Sequence, residues 1–66
     1  MSVFSERLKE ERKKAKLTQE EVAKQLGITR SAYTLYETDK TQPSLDTAVK
    51  LANLFKTSVD YLIGRY

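Results

Sequence analysis

The sequence predicts an all-α fold of five short helices, and three observations carry that reading. Two glycines and one proline in 66 residues are too few for the many turns of a β-sandwich, and too few for a glycine-rich phosphate loop. Apolar residues recur at spacings of three and four, the helical period. Ser or Thr precedes each periodic stretch, at Ser2, Thr18, Thr29, Ser44 and Ser58, where its side-chain oxygen can accept a first-turn amide. The length is that of one domain, residues 1–66. A chain this short buries only about 60% of its unfolded surface, so stability is marginal.

Residues 2–15 form the first predicted helix, with Ser2 as cap. Phe4, Leu8, Arg12 and Ala15 share one face, which sets a charge, Arg12, within an apolar stripe. Lys16 and Leu17 form the break. Residues 18–26 form the second helix. Thr18-Gln19-Glu20-Glu21 is a capping box: the Thr18 oxygen accepts the Glu21 amide, and the Glu21 carboxylate accepts the Thr18 amide. Val22, Ala23 and Leu26 make its buried stripe, and Gly27 can take positive φ at the helix end. The third helix follows at once, residues 29–37, capped by Thr29. On a helical wheel Ala32, Tyr33 and Tyr36 fall on one side and Arg30, Ser31, Thr34 and Leu35 on the other, with Glu37 at the edge. Two helices of about eight residues joined by about three cross steeply. Residues 38–43 are a polar loop, and Pro43 favours extended chain before it. Residues 44–55 form the fourth helix, with Leu45, Ala48, Leu51, Ala52 and Phe55 on one face and Val49 and Leu54 beside them. Ser58 starts a last turn or two, with Val59, Leu62 and Ile63 inward and Gly64 as the stop.

Composition excludes several functions. The chain has no cysteine and no histidine. Disulfides, thiolate metal sites, the usual general base and the usual zinc or haem ligand are therefore absent. Carboxylate chemistry with oxygen-loving metals stays formally open. No catalytic residue, metal or cofactor is expected, and the chain is not expected to be an enzyme. The net charge of +3 is modest, but residues 1–16 alone hold six basic and three acidic side chains. Such a segment suits a polyanion and equally a solvated helix face. No apolar stretch approaches the roughly 20 residues of a membrane span, and the N-terminus lacks a secretory apolar run. The expected compartment is the cytoplasm, with no membrane partner.

Residues 18–37, TQEEVAKQLGITRSAYTLYE, are the informative stretch. A small side chain at Ala23 admits the next helix, Gly27 supplies the turn, and Ile28, Tyr33 and Tyr36 fill the crotch between the two helices. This stretch resembles the helix-turn-helix of phage repressor and Cro-type regulators, also called the xenobiotic response element family. The Leu-Thr-Gln-Glu-Glu-Val-Ala opening, the Tyr-Glu close, Pro-Ser-Leu-Asp-Thr at the start of helix four and the Ser-Val-Asp-Tyr-Leu-Ile-Gly ending are similar to that family too. The resemblance covers about residues 4–64. Two positions depart from it: Tyr33 is bulkier than the usual Ile or Val, and Leu35 is apolar where many relatives carry a polar base-reader.

The resemblance implies a compact five-helix, lambda-repressor-like domain with its third helix in the major groove of double-stranded DNA and its second lying across it. Gln19, with the N-terminus of its helix, matches the phosphate-holding position. Arg30 and Ser31 match the first base-facing positions, and Arg30 can bind guanine bidentately. Thr34 and Leu35 lie one turn further on, where Leu35 can pack on a thymine methyl. Lys40 and Thr41 match the loop that meets the next phosphates through side chains and amides, and Thr29 is both N-cap and phosphate donor. Each has a plainer reading beside this one. Arg30 and Lys40 suit any solvated surface, Ser31 and Thr34 any exposed helix, and Gln19 any first helical turn. Leu35 equally suits a core position on a rotated helix or a protein interface. In the family the pair matching Arg12 and Glu37 forms an ion pair between helices one and three, which here would position the recognition helix.

The expected function is a sequence-specific DNA-binding transcriptional regulator, a repressor by preference. An antitoxin of a toxin–antitoxin pair would use the same fold with a protein partner, and usually a partner-binding extension; here only Arg65 and Tyr66 follow the last helix. A protein-interaction module without DNA binding would favour a neutral or acidic third helix, against Arg30. A two-fold homodimer could read a palindromic operator with half-sites about 34 Å apart, with Val59, Tyr61 and Tyr66 as candidate contacts.

Overall fold

The computed structural model describes residues 2–65. Five helices follow in order: α1 Val3–Lys14, α2 Gln19–Leu26, α3 Arg30–Glu37, α4 Leu45–Leu54 and α5 Val59–Leu62. There is no strand among the described residues. Each helix opens with the Ser or Thr cap read from the sequence, and in each the cap oxygen accepts the amide three residues on.

The helix ends obey one rule that the sequence only half announces. Gly27 and Gly64 take positive φ after α2 and α5, and so do Lys16, Asp39 and Lys56 after α1, α3 and α4. In all five a later amide then returns to a carbonyl in the last turn: Leu17 to Arg12, Ile28 to Ala23, Lys40 to Leu35, Thr57 to Ala52 and Arg65 to Asp60. This closes carbonyls that would otherwise lack donors. A left-handed residue with a side chain costs about 1–2 kcal/mol, and Asp39 recovers part of it by accepting the Ser2 amide at 3.0 Å. Gly64 answers a second demand. A Cβ there would lie 2.9 Å from Cγ1 of Val3, so the end of α5 and the start of α1 approach too closely for a side chain.

One apolar cluster joins all five helices: Phe4 and Leu8 of α1, Val22 and Ala23 of α2, Tyr33 of α3, Leu51 and Ala52 of α4 with Phe55, and Leu62 of α5. Leu17, Leu26, Ile28, Tyr36, Leu54, Val59 and Tyr61 pack against it. Several inward expectations fail. Ala15 is exposed because α1 ends at Lys14 and Ala15 is already its cap. Leu45 is 74% exposed; it is the first residue of α4, whose buried stripe begins only at Ala48. Val49 and Ile63 are also exposed, Ile63 lying past the last turn of α5 as its C-cap. Val59 and Tyr61 are half-buried against the core, and the Arg7 guanidinium lies over the Tyr61 ring at 4.3 Å. They are thus less exposed than expected above; Tyr66 lies outside the described residues.

Candidate nucleic-acid interface

The site grows from the α2–α3 pair. The capping box at Thr18 and Glu21 is complete, with Thr18 donating its amide to Glu21 at 2.8 Å and accepting the Glu21 amide at 3.1 Å. The first of these bonds holds the Glu21 carboxyl below the usual range, since it favours the charged form. Gly27 and Ile28 turn the chain, and Thr29 caps α3 by accepting the Ala32 amide at 3.1 Å.

Arg30, Ser31 and Leu35 are exposed on the outer side of α3, and Thr34 is half-buried between them and α2. Arg30 shares an open recess with Leu17, Thr18, Gln19, Glu20 and Arg12, so the first turn of α3 stands beside the N-terminus of α2. Thr29, Lys40 and Thr41 are exposed at either end of α3. The amides of Lys40 and Thr41 both donate to the Leu35 carbonyl, at 3.0 and 3.3 Å. Those two N–H groups close α3 and are not available to a phosphate, contrary to the expectation for loop amides. At these two positions the loop offers a phosphate the Lys40 ammonium and the Thr41 hydroxyl.

Behind this face lies a buried polar knot centred on Glu37, which is 1% exposed. Arg12 Nε donates to Glu37 Oε2 at 2.6 Å and Nη2 to Oε1 at 3.3 Å. Nη1 donates to the Leu17 carbonyl at 2.9 Å. Gln19 Nε2 donates to Glu37 Oε1 at 3.0 Å, and the Tyr33 hydroxyl donates to Oε2. Burial pushes the Glu37 carboxyl upward, but hydrogen bonds from Arg12, Tyr33 and Gln19 outweigh it and hold the group below its ordinary value. The hydrogen bond to Glu37 raises Arg12; burial, then Glu37, raises the Tyr33 phenol. No buried side-chain nitrogen or oxygen among the described residues lacks a partner.

Two of these roles are not visible in the sequence pattern. Tyr33 is a core residue, as its place on the helical wheel predicts, but a buried phenol needs an acceptor, and Glu37 one turn on is that acceptor. The expected role of Gln19 is outward, yet one amide hydrogen points inward to Glu37. It therefore links the start of α2 to the end of α3.

The chain matches the Helix-turn-helix family over residues 8–62 and belongs to it. It is 48% identical over 61 residues to YqaE, an uncharacterized HTH-type transcriptional regulator of Bacillus subtilis, covering 92% of this chain and 53% of that one. It is 47% identical over 62 residues to ImmR, an HTH-type transcriptional regulator of the same organism, covering 94% and 49%. The chain thus spans about half the length of these relatives. The fold superimposes on the P22 c2 repressor, solved in complex with a synthetic operator, with a TM-score of 0.89 at 28% identity over 97% of each chain. No helix among the described residues is long and apolar enough to cross a membrane.

Proposed function

We propose that this chain is the DNA-binding unit of a sequence-specific transcriptional regulator, of the repressor type, acting on double-stranded DNA. The observation that carries the proposal is the outer face of α3: exposed Arg30, Ser31 and Leu35 beside the N-terminus of α2, on a fold that matches an operator-bound repressor end to end. In this reading α3 enters the major groove and α2 crosses the backbone. Arg30, Ser31, Thr34 and Leu35 face base edges. Gln19 keeps one amide hydrogen on Glu37 and turns the other to a phosphate, while Thr29, Lys40 and Thr41 reach phosphates on either side. Arg12 and Glu37 position the helix and touch no DNA. A two-fold dimer on a palindromic site would double the contact.

Selection of bound duplexes from a random pool tests this, followed by a salt titration on the winner. An enriched motif is expected, with log K falling by about 0.9 per log unit of salt for each phosphate held. No enriched sequence, or an affinity indifferent to salt, would defeat the proposal.

A further inference from the structure

The turn after α3 is held from two sides. On one side the amides of Thr38, Asp39, Lys40 and Thr41 all donate back into α3, to the carbonyls of Thr34, Tyr36 and, twice, Leu35. The turn therefore moves with that helix. On the other side the Asp39 carboxylate reaches across to α1 and accepts the Ser2 amide at 3.0 Å. Ser2 is a firm anchor. Its hydroxyl accepts the Ser5 amide at 3.2 Å, and its carbonyl accepts the Ser5 hydroxyl at 3.0 Å. Ser5 is itself wholly buried. A line of hydrogen bonds thus runs from the buried side of α1 through Ser5 and Ser2 to Asp39, the neighbour of Lys40. Asp39 is an unfavourable choice for its position on two counts. It stands at a φ of 63°, where glycine would carry no strain. It also sets a carboxylate next to the exposed Lys40, where a free negative charge would repel a phosphate. The bond to Ser2 answers both. It draws the carboxylate to the N-terminus of α1, whose positive end suits an anion, and it fixes the turn from outside α3.

We propose that Asp39 is a positioning residue for DNA binding: by holding the Ser2 amide it ties the turn after α3 to the start of α1, and so presets Lys40 for its phosphate. A group already held where its partner will lie loses less freedom on binding. The proposal rests on the DNA-binding reading above and deepens it, since it assigns the phosphate grip of Lys40 to a contact that touches no DNA.

The test compares two substitutions of equal charge. Asp39→Asn and Asp39→Gly both remove the negative charge and both suit a left-handed backbone, but only Asp39→Asn keeps an acceptor for the Ser2 amide. Thermal melts establish a temperature at which both variants are folded. Binding to the selected duplex is measured there, for each variant alone and combined with Lys40→Ala. Asp39→Asn should bind at least as tightly as the wild type. Asp39→Gly should bind roughly fivefold more weakly than Asp39→Asn, the cost of ordering one long side chain on binding. Lys40→Ala should then weaken Asp39→Asn by a larger factor than it weakens Asp39→Gly, because the two positions are coupled. Equal affinity of the two Asp39 variants, or an equal cost of Lys40→Ala in both, would overturn the positioning role and leave DNA binding standing. If the wild type binds no duplex at all, the DNA-binding reading falls and this proposal with it.

Discussion

The two sides of α3 are built on opposite principles. Inward, Tyr33 and Glu37 are almost wholly buried, and the carboxylate takes hydrogen bonds from α1, α2 and its own helix. Outward, Arg30, Ser31 and Leu35 stand exposed. Apolar contact is non-directional and lets a short helix roll. Hydrogen bonds to a carboxylate fix direction as well as distance. The eight residues of α3 are too few to hold their roll by packing alone. Glu37 supplies what packing lacks, so the outer face can vary in chemistry while the angle at which it is presented stays the same.

The sharpest way to break this contrast is at its inner side. Glu37→Ala removes the acceptor shared by Arg12, Gln19 and Tyr33, leaving a guanidinium that is only 14% exposed without its counter-ion. Losing one member of a buried pair costs about 3–5 kcal/mol, enough to unfold much of so small a domain at room temperature. Thermal melts of Glu37→Ala, Arg12→Ala and the double variant check it; the double should be less damaging than the two losses added. Acid gives an independent reading. Glu37 has a folded-state pKa below its unfolded value, so its contribution is present above the unfolded pKa and is lost as pH falls through the folded one. Denaturant midpoints taken from neutral pH downward should fall more steeply in the wild type than in Glu37→Gln. Equal slopes would show that the carboxylate is not the group held.

On the outer side, Arg30→Ala should leave the melting temperature nearly unchanged. It should cost about 1–3 kcal/mol on the best duplex and relax preference at one position per half-site. A matching loss on scrambled DNA would make Arg30 a backbone contact, as its place beside the N-terminus of α2 allows.

Tyr33→Phe probes the inner side more gently. It deletes one donor to Glu37 and almost no volume, for an expected loss of about 1–2 kcal/mol in unfolding free energy. The phenol is held above its ordinary pKa by burial and by Glu37. Its contribution is thus full below the unfolded pKa and declines as pH rises toward the raised folded value. The gap between wild type and Tyr33→Phe should therefore narrow above about pH 10; a constant gap would mean that the hydroxyl is not buried on the carboxylate.

The same contrast explains what the sequence made legible. Caps and faces are local properties, so Thr18, Thr29, Gly27 and the outward set from Arg30 to Leu35 could be read from spacing. The partners of Tyr33 and Gln19 could not, because they depend on which carboxylate the tertiary fold brings near. Leu45 and Ile63 are exposed for a related reason: periodicity shows which residues share a face, but not how far along a helix its neighbours extend. The left-handed turns at Lys16 and Lys56 carry no compositional sign, and the one at Asp39 only a weak one, since glycine and, less strongly, Asn or Asp announce that conformation. The loop at Lys40 and Thr41 hid its amides in the same way.

That loop supplies the smallest and most discriminating prediction. With the Lys40 and Thr41 amides closed onto the Leu35 carbonyl, the ammonium of Lys40 is the loop's one cationic group. It is exposed and sits where α3 ends, so it can approach a phosphate without touching a base. A point charge of this kind adds affinity through counterion release and carries no sequence information. Lys40→Ala should therefore weaken selected and scrambled duplexes by the same factor, lower the salt slope by about one and leave the melting temperature where it was. Arg30→Ala should do the reverse, changing the ratio between the two duplexes and leaving the slope almost intact. Measured together over one salt series, the pair separates gripping from reading on a single helix and its loop. A Lys40→Ala variant that shifts the preferred sequence would show that the loop enters the groove, and that α3 lies closer to the bases at its C-terminal end than at its first turn.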